Sequence, residues 1–172
     1  MAENLDSTDW ALLTELQRDG RIPFTELARR VSLSASATTE RVRRLETLGV
    51  ITGYRAVVDP AQAGLPVLAV VRLKYPGNRH EPLHRLLGER TEILECLRTT
   101  GDDCYTLKVA AASMGHLENI VDELAAFGST TTSVVYSEPL PLRGPAPRAG
   151  GVLPGDDPRI PGRTSGSAGR RA

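Results

Sequence analysis

Only two cysteines, Cys96 and Cys104, occur in the 172 residues of this chain. That scarcity excludes the disulfide framework on which small secreted domains depend. If the flanking segments form a hairpin about Gly101-Asp102-Asp103, the two thiols fall out of register across it and are read as reduced. Aromatic residues are only 4% of the chain, and Tyr105 stands alone where an RNA-recognition sheet would carry several stacking rings, so that class is excluded. Charge of one sign is also missing. The 21 basic and 21 acidic residues cancel, and any nucleic-acid contact must come from local arrangement. The longest apolar run, Leu65 to Val71, is broken by Pro66 and is too short to cross a bilayer. The opening MAENLDSTDW has no apolar stretch of the secretory kind, so a cytoplasmic location without membrane contact is expected. Catalytic signatures are missing as well: there is no G-x-x-x-x-G-K, no G-x-S-x-G and no clustered metal ligands, and no enzyme or cofactor is expected. Asp102 and Asp103 read as turn formers, not as a catalytic pair. His80 and His84, four apart on a predicted helix, have metal-ligand spacing without a carboxylate or thiolate partner nearby, and read as surface histidines.

What is present divides into pieces of different charge. Residues 1–60 carry net −1, residues 61–140 net −3, and residues 141–172 net +4. From Pro139 to Ala172 there are 7 prolines and 7 glycines in 34 residues with no apolar period, the composition of a disordered tail. The expected organisation is a first domain over 1–52, a connecting strand and linker over 53–64, a second domain over 65–140 and the tail over 141–172.

Three helices are predicted first. Asp6 is an N-cap with Asp9 at the third helical position, Leu5 and Trp10 form a hydrophobic staple, and Gly20 closes the helix. Pro23 starts the next, with Phe24, Leu27, Ala28 and Val31 on one stripe. Ser34 caps a third whose Thr38, Val42 and Leu45 face inward until Gly49. Thr52 to Asp59 alternates weakly and reads as a strand leaving the unit. Two helices joined by a short turn and braced by a third make a helix-turn-helix, whose second helix fits the DNA major groove. The residues expected to meet DNA are Ser34, Ser36, Thr39, Glu40, Arg43, Arg44 and Arg55: hydroxyls that allow close approach, and guanidinium forks for guanine or phosphate.

Residues 65–140 change period. Strands are predicted over Val67 to Tyr75, Ile93 to Thr100, Cys104 to Ala111 and Thr130 to Ser137, with helices over Glu81 to Glu89 and from Ser113 to Gly128. The order βαββαβ is that of a ferredoxin-like sheet with both helices on one face. The chain is therefore read as α+β, a winged-type helix-turn-helix followed by a ferredoxin-like domain. Leu68 and Val70 make the uncovered face apolar, which predicts a homodimer packed through the sheets. A twofold dimer would let two helix-turn-helix units address paired half-sites of double-stranded DNA.

The stretches LDSTDWALLTELQRDGR at 5–21, ELARRVSLS at 26–34, ERVRRLETLGVITGYRAVVDP at 40–60 and RTTGDDCYTLKV at 98–109 resemble the Lrp/AsnC (leucine-responsive, feast/famine) transcriptional regulators over about residues 3–140. The resemblance implies a DNA-binding regulator whose second domain binds an amino acid or related metabolite, and dimers that assemble to octamers. It places the effector at the turn between the second and third strands, at Thr99, Thr100, Gly101, Asp102, Asp103 and Tyr105, with Thr132 and Val134 reaching in from a neighbouring chain. Two residues depart from the family pattern. Ser32 replaces a glycine in the inter-helix turn, a strained choice if φ is positive there. Cys104 replaces the second Asp of a G-D-x-D turn and is read as facing the core. The alternative function is an architectural DNA protein of low specificity with no effector.

Overall fold

Asp6 and Asp9 start the first helix by capping each other: the Asp6 carboxylate accepts from the Asp9 N–H at 2.7 Å, and the Asp9 carboxylate accepts from the Asp6 N–H at 3.2 Å. This computed structural model describes residues 5–147, which separate into a unit of residues 5–55 with 142–147 and a unit of residues 56–141. In the first unit α1 (Ser7–Arg18), α2 (Phe24–Arg30) and α3 (Ala35–Thr47) close around Leu12, Ile22, Leu27 and Val42, with Leu16, Val31 and Ile51 packed against them. The predicted inward residues of α3, namely Thr38, Val42 and Leu45, are all buried. Phe24 is exposed instead of lining the stripe of α2.

The ends of α2 and α3 share one hydrogen-bond pattern. Leu33 N–H reaches Ala28 C=O and Ser32 N–H reaches Arg29 C=O after α2, while Val50 N–H reaches Leu45 C=O and Gly49 N–H reaches Glu46 C=O after α3. Both are Schellman closures, which need a left-handed residue just past the helix. Gly49 has φ +70° and Ser32 has φ +57°. The positive φ expected at Ser32 is thus present.

The strand expected over Thr52 to Asp59 is not: these residues have no regular secondary structure, and the winged part of the predicted helix-turn-helix is absent among the described residues. Alternation marks faces but supplies no pairing partner, and a strand without a neighbour leaves its N–H and C=O groups unbonded. Val57 and Val58 are 93% and 67% exposed.

The second unit contains β1 (Val67–Lys74), α4 (Glu81–Glu89), β2 (Ile93–Arg98), β3 (Tyr105–Ala111), α5 (Met114–Ala125) and β4 (Ser129–Val134). The strands form one antiparallel sheet in the order β2-β3-β1-β4, the ferredoxin-like arrangement. One face buries Ala69, Val71, Leu73, Leu107 and Val109 under Leu83 of α4 and Leu117, Ile120 and Leu124 of α5. On the other face Leu68 and Val70 are half-buried, Ala110 is buried, and Arg72 and Lys74 are exposed. Pro141 to Pro147 has no regular secondary structure, and Gln17 Nε2 donates to the Pro145 carbonyl at 3.0 Å. The rest of the tail expected to be disordered, residues 148–172, lies outside the described residues.

Candidate functional site

Ser34 caps α3 by accepting from the Ala37 N–H at 3.2 Å, and its Oγ lies 3.1 Å from the Ser36 Oγ. The inward stripe of α3 turns Ser36, Glu40 and Arg43 outward, while Thr39 is half-buried with its hydroxyl bonded to the Ala35 carbonyl at 2.8 Å. Arg43 is exposed and enters no ion pair among the described residues. Arg44 is different: its Nη2 donates to Asp9 Oδ2 at 2.6 Å. Arg41 joins it, with Nη1 2.7 Å from Asp6 Oδ2 and 2.9 Å from Asp9 Oδ1. These groups, with Ala37 and Glu40, line an open cleft of about 450 Å³. Sequence reasoning missed Arg41. Its one signal was its place beside Val42, which turns it to the flank of the helix. Arg55 is exposed in the segment after α3.

Charge pairing extends through this unit. Arg29 and Arg30 donate to Glu26 and hold its carboxyl down at about 2. Arg30 likewise lowers Glu15, and the Asp9 N–H, followed by Arg41, lowers Asp6. Burial, reinforced by the O–H bond to Glu46 at 2.9 Å, pushes Tyr54 up to about 12.

The expected effector turn is a tight link from β2 to β3. Thr99 N–H donates to the Cys104 carbonyl at 2.9 Å, Thr99 Oγ1 donates to the Asp103 carbonyl at 2.8 Å, and Gly101 takes φ +104°. Asp102 and Asp103 lie 3.5 Å from Lys74 Nζ and 3.9 Å from Arg72 Nε, on the uncovered face of the sheet. Thr100 is exposed. Tyr105 is only 2% exposed: its ring belongs to the core and burial raises its phenol. Thr132 and Val134 pair with Val71 and Ala69 on β4, so β3 and β1 separate them from β2, and one chain does not gather them with the turn.

Cys104 packs against the core, where its Sγ accepts from the Tyr75 N–H at 3.4 Å. Cys96 pairs with Leu107, out of register with Cys104, and both thiols are free. The reading of His80 as a surface residue is corrected. It is half-buried with Nδ1 2.9 Å from the Tyr105 hydroxyl, while His84 Nε2 lies 3.3 Å from the same oxygen and Arg98 Nη2 lies 3.1 Å from His80 Nε2. No helix among the described residues is long and apolar enough to cross a membrane.

Residues 5–46 match the AsnC-type helix-turn-helix domain and residues 68–145 the Lrp/AsnC ligand binding domain. The HTH-type transcriptional regulator LrpC of Bacillus subtilis is 34% identical over 134 residues, covering 78% of this chain and 93% of LrpC. Its solved structure matches with a TM-score of 0.76 over 79% of this chain and 97% of that one. The leucine-responsive regulatory protein of Escherichia coli is 36% identical over 145 residues, covering 79% and 87% of the two chains. The feast or famine regulatory protein of Mycobacterium tuberculosis, solved in complex with L-methionine, matches with a TM-score of 0.76 at 31% identity over 84% of this chain and all of that one. Two domains in the family's order, over most of the chain, lead to one conclusion: the chain belongs to the Lrp/AsnC family of transcriptional regulators, and it is not an enzyme.

Proposed function

We propose that this regulator binds double-stranded DNA sequence-specifically through α3, and that an amino acid or related metabolite modulates its assembly or its DNA affinity. The observation that carries the reading is the face of α3. A helix seated on α1 and α2 by Thr38, Val42 and Leu45 presents Ser36, Glu40 and Arg43 outward from a capped N-terminus at Ser34, with Thr39 at the margin. Small hydroxyls admit the helix to the groove, and an outward guanidinium can bond guanine O6 and N7 with two N–H groups. Arg55 adds a backbone contact from the segment that follows.

The effector reading rests on chemistry at the turn after β2. An α-amino acid needs acceptors for its ammonium and donors for its carboxylate. Asp102 and Asp103 supply the first, while the exposed Thr100 hydroxyl and the backbone at Gly101 supply the second; Thr99 shapes the turn by donating to the Cys104 and Asp103 carbonyls, and the buried Tyr105 follows at the start of β3. The complex of the mycobacterial relative with L-methionine supports an amino acid as the class. The half-apolar face bearing Leu68 and Val70 supports a dimer packed through the sheets, further assembled to an octamer in which Thr132 and Val134 of a neighbouring chain close the pocket. Effector control follows if the ligand prefers one assembly over another.

Selection of bound duplexes from random DNA, with and without a mixture of amino acids, tests both parts. A shared sequence whose enrichment changes with the mixture is expected. Binding with no enriched sequence would leave the architectural reading in its place.

A further inference from the structure

Asp9 is a charged side chain with almost no exposure, and its two oxygens collect three donors: the Asp6 N–H at 3.2 Å, Arg41 Nη1 at 2.9 Å and Arg44 Nη2 at 2.6 Å. A buried carboxylate is costly to desolvate, and an apolar residue of similar volume would often serve stability as well. Its effect lies in what it holds. With 100° between successive residues of α3, Ala37, Arg41 and Arg44 run down the flank beside α1, while Ser36, Glu40 and Arg43 lie farther round, away from the buried stripe. Asp6 and Asp9 thus face Arg41 and Arg44 across this flank. Arg43, one residue before Arg44, has no such tie among the described residues.

We propose that Asp9 is a positioning residue that fastens Arg44 to α1 and withholds its guanidinium from the DNA phosphates, so that α3 grips DNA with Arg43 and not with both arginines. This inference rests on the DNA-binding reading of α3. A guanidinium bonded to a buried carboxylate does not neutralise a phosphate, and it releases no counterion on binding. Sequence-independent affinity is lowered, while the outward contacts of α3 to base edges are kept. The discrimination between operator and bulk DNA rises accordingly.

The test is a salt titration of the full-length protein on a random-sequence duplex. Asp9→Asn keeps the acceptor for the Asp6 N–H and removes the charge. It is expected to steepen the dependence of log K on log salt by about 0.9 for each protomer on the duplex, a further loss of about three- to fourfold between roughly 50 and 200 mM salt. Adding Arg44→Gln to Asp9→Asn is expected to return the slope to that of the unaltered protein. A folded Asp9→Asn protein with an unchanged slope, or a double variant that keeps the steeper one, overturns the inference. If Asp9→Asn does not fold, arginine modification by phenylglyoxal in the unaltered protein decides. Arg43 should lose reactivity when the duplex is added, while Arg44 reacts equally with and without it. Protection of Arg44 beside Arg43 overturns the tie alone; a protein that binds no duplex overturns the DNA-binding reading and the tie together.

Discussion

Replacing Ser32 by glycine should stabilise the helix-turn-helix unit. Ser32 closes α2 at φ +57°, where Gly49 closes α3 at φ +70° with the same pair of backbone hydrogen bonds. A Cβ in the left-handed region costs roughly 1–2 kcal/mol, and the extra freedom that glycine gives the unfolded chain offsets about 0.4–1 kcal/mol. The net gain for Ser32→Gly is about 0.5–1 kcal/mol, which in a small unit raises the midpoint by roughly 2–8 °C. Gly49→Ser should lower it by a similar amount, because a Cβ there meets no atom within 4 Å and only the backbone conformation is penalised. Trp10 is the single tryptophan of the chain and lies in α1, so its fluorescence reports the unfolding of this unit directly. Ser32→Ala keeps the Cβ and should not reproduce the gain. A lower midpoint for Ser32→Gly, or an unchanged one for Gly49→Ser, would refute the assignment of strain to this closure.

Thr38 Oγ1 is buried with no hydrogen-bond partner among the described residues, so Thr38→Val should raise the unfolding free energy read from Trp10 fluorescence by up to about 1 kcal/mol; a fall would mean that the hydroxyl is satisfied in solution. A Cβ at Gly128 would sit 2.1 Å from the Lys74 carbonyl oxygen, and Gly128→Ala should cost the sheet domain about 1–3 kcal/mol or more in thermal melts followed by far-ultraviolet circular dichroism. Glu26, lowered from 4.5 to about 2 first by Arg29 and then by Arg30, contributes stability that is present above its unfolded value and lost as pH falls through the folded one. Urea midpoints from Trp10 should therefore decline between about pH 4.5 and 2, Glu26→Gln should flatten the decline, and a flat profile in the unaltered protein would contradict the pairing.

Among the described residues the five helices and four sheet strands were legible because each carries its own signal: an apolar period, a cap such as Asp6, Ser34 or Ser113, or a β-branched run. The segment from Thr52 to Asp59 carries only alternation, and whether it pairs depends on a neighbour that no local pattern specifies. Arg44 shows the same limit at the candidate site. Helical spacing puts it near the outer face, but the carboxylate that takes it up is Asp9, 35 positions earlier and on another helix. His80 was read as a surface residue because its partner Tyr105 lies 25 positions away. The turn residues Gly101 to Asp103 were found, whereas their cations on β1 emerge only once strand order brings β1 beside β3.

The contacts around Tyr105 also fix where each hydrogen sits. Arginine has N–H groups and no acceptor, so Arg98 Nη2 donates and His80 Nε2 accepts. A neutral imidazole keeps one N–H, which must then be on His80 Nδ1 and point at the Tyr105 oxygen. The phenolic hydrogen is left to turn towards His84 Nε2. The sequence of donors therefore runs one way, from the end of β2 through the core to α4, and no member can reverse alone.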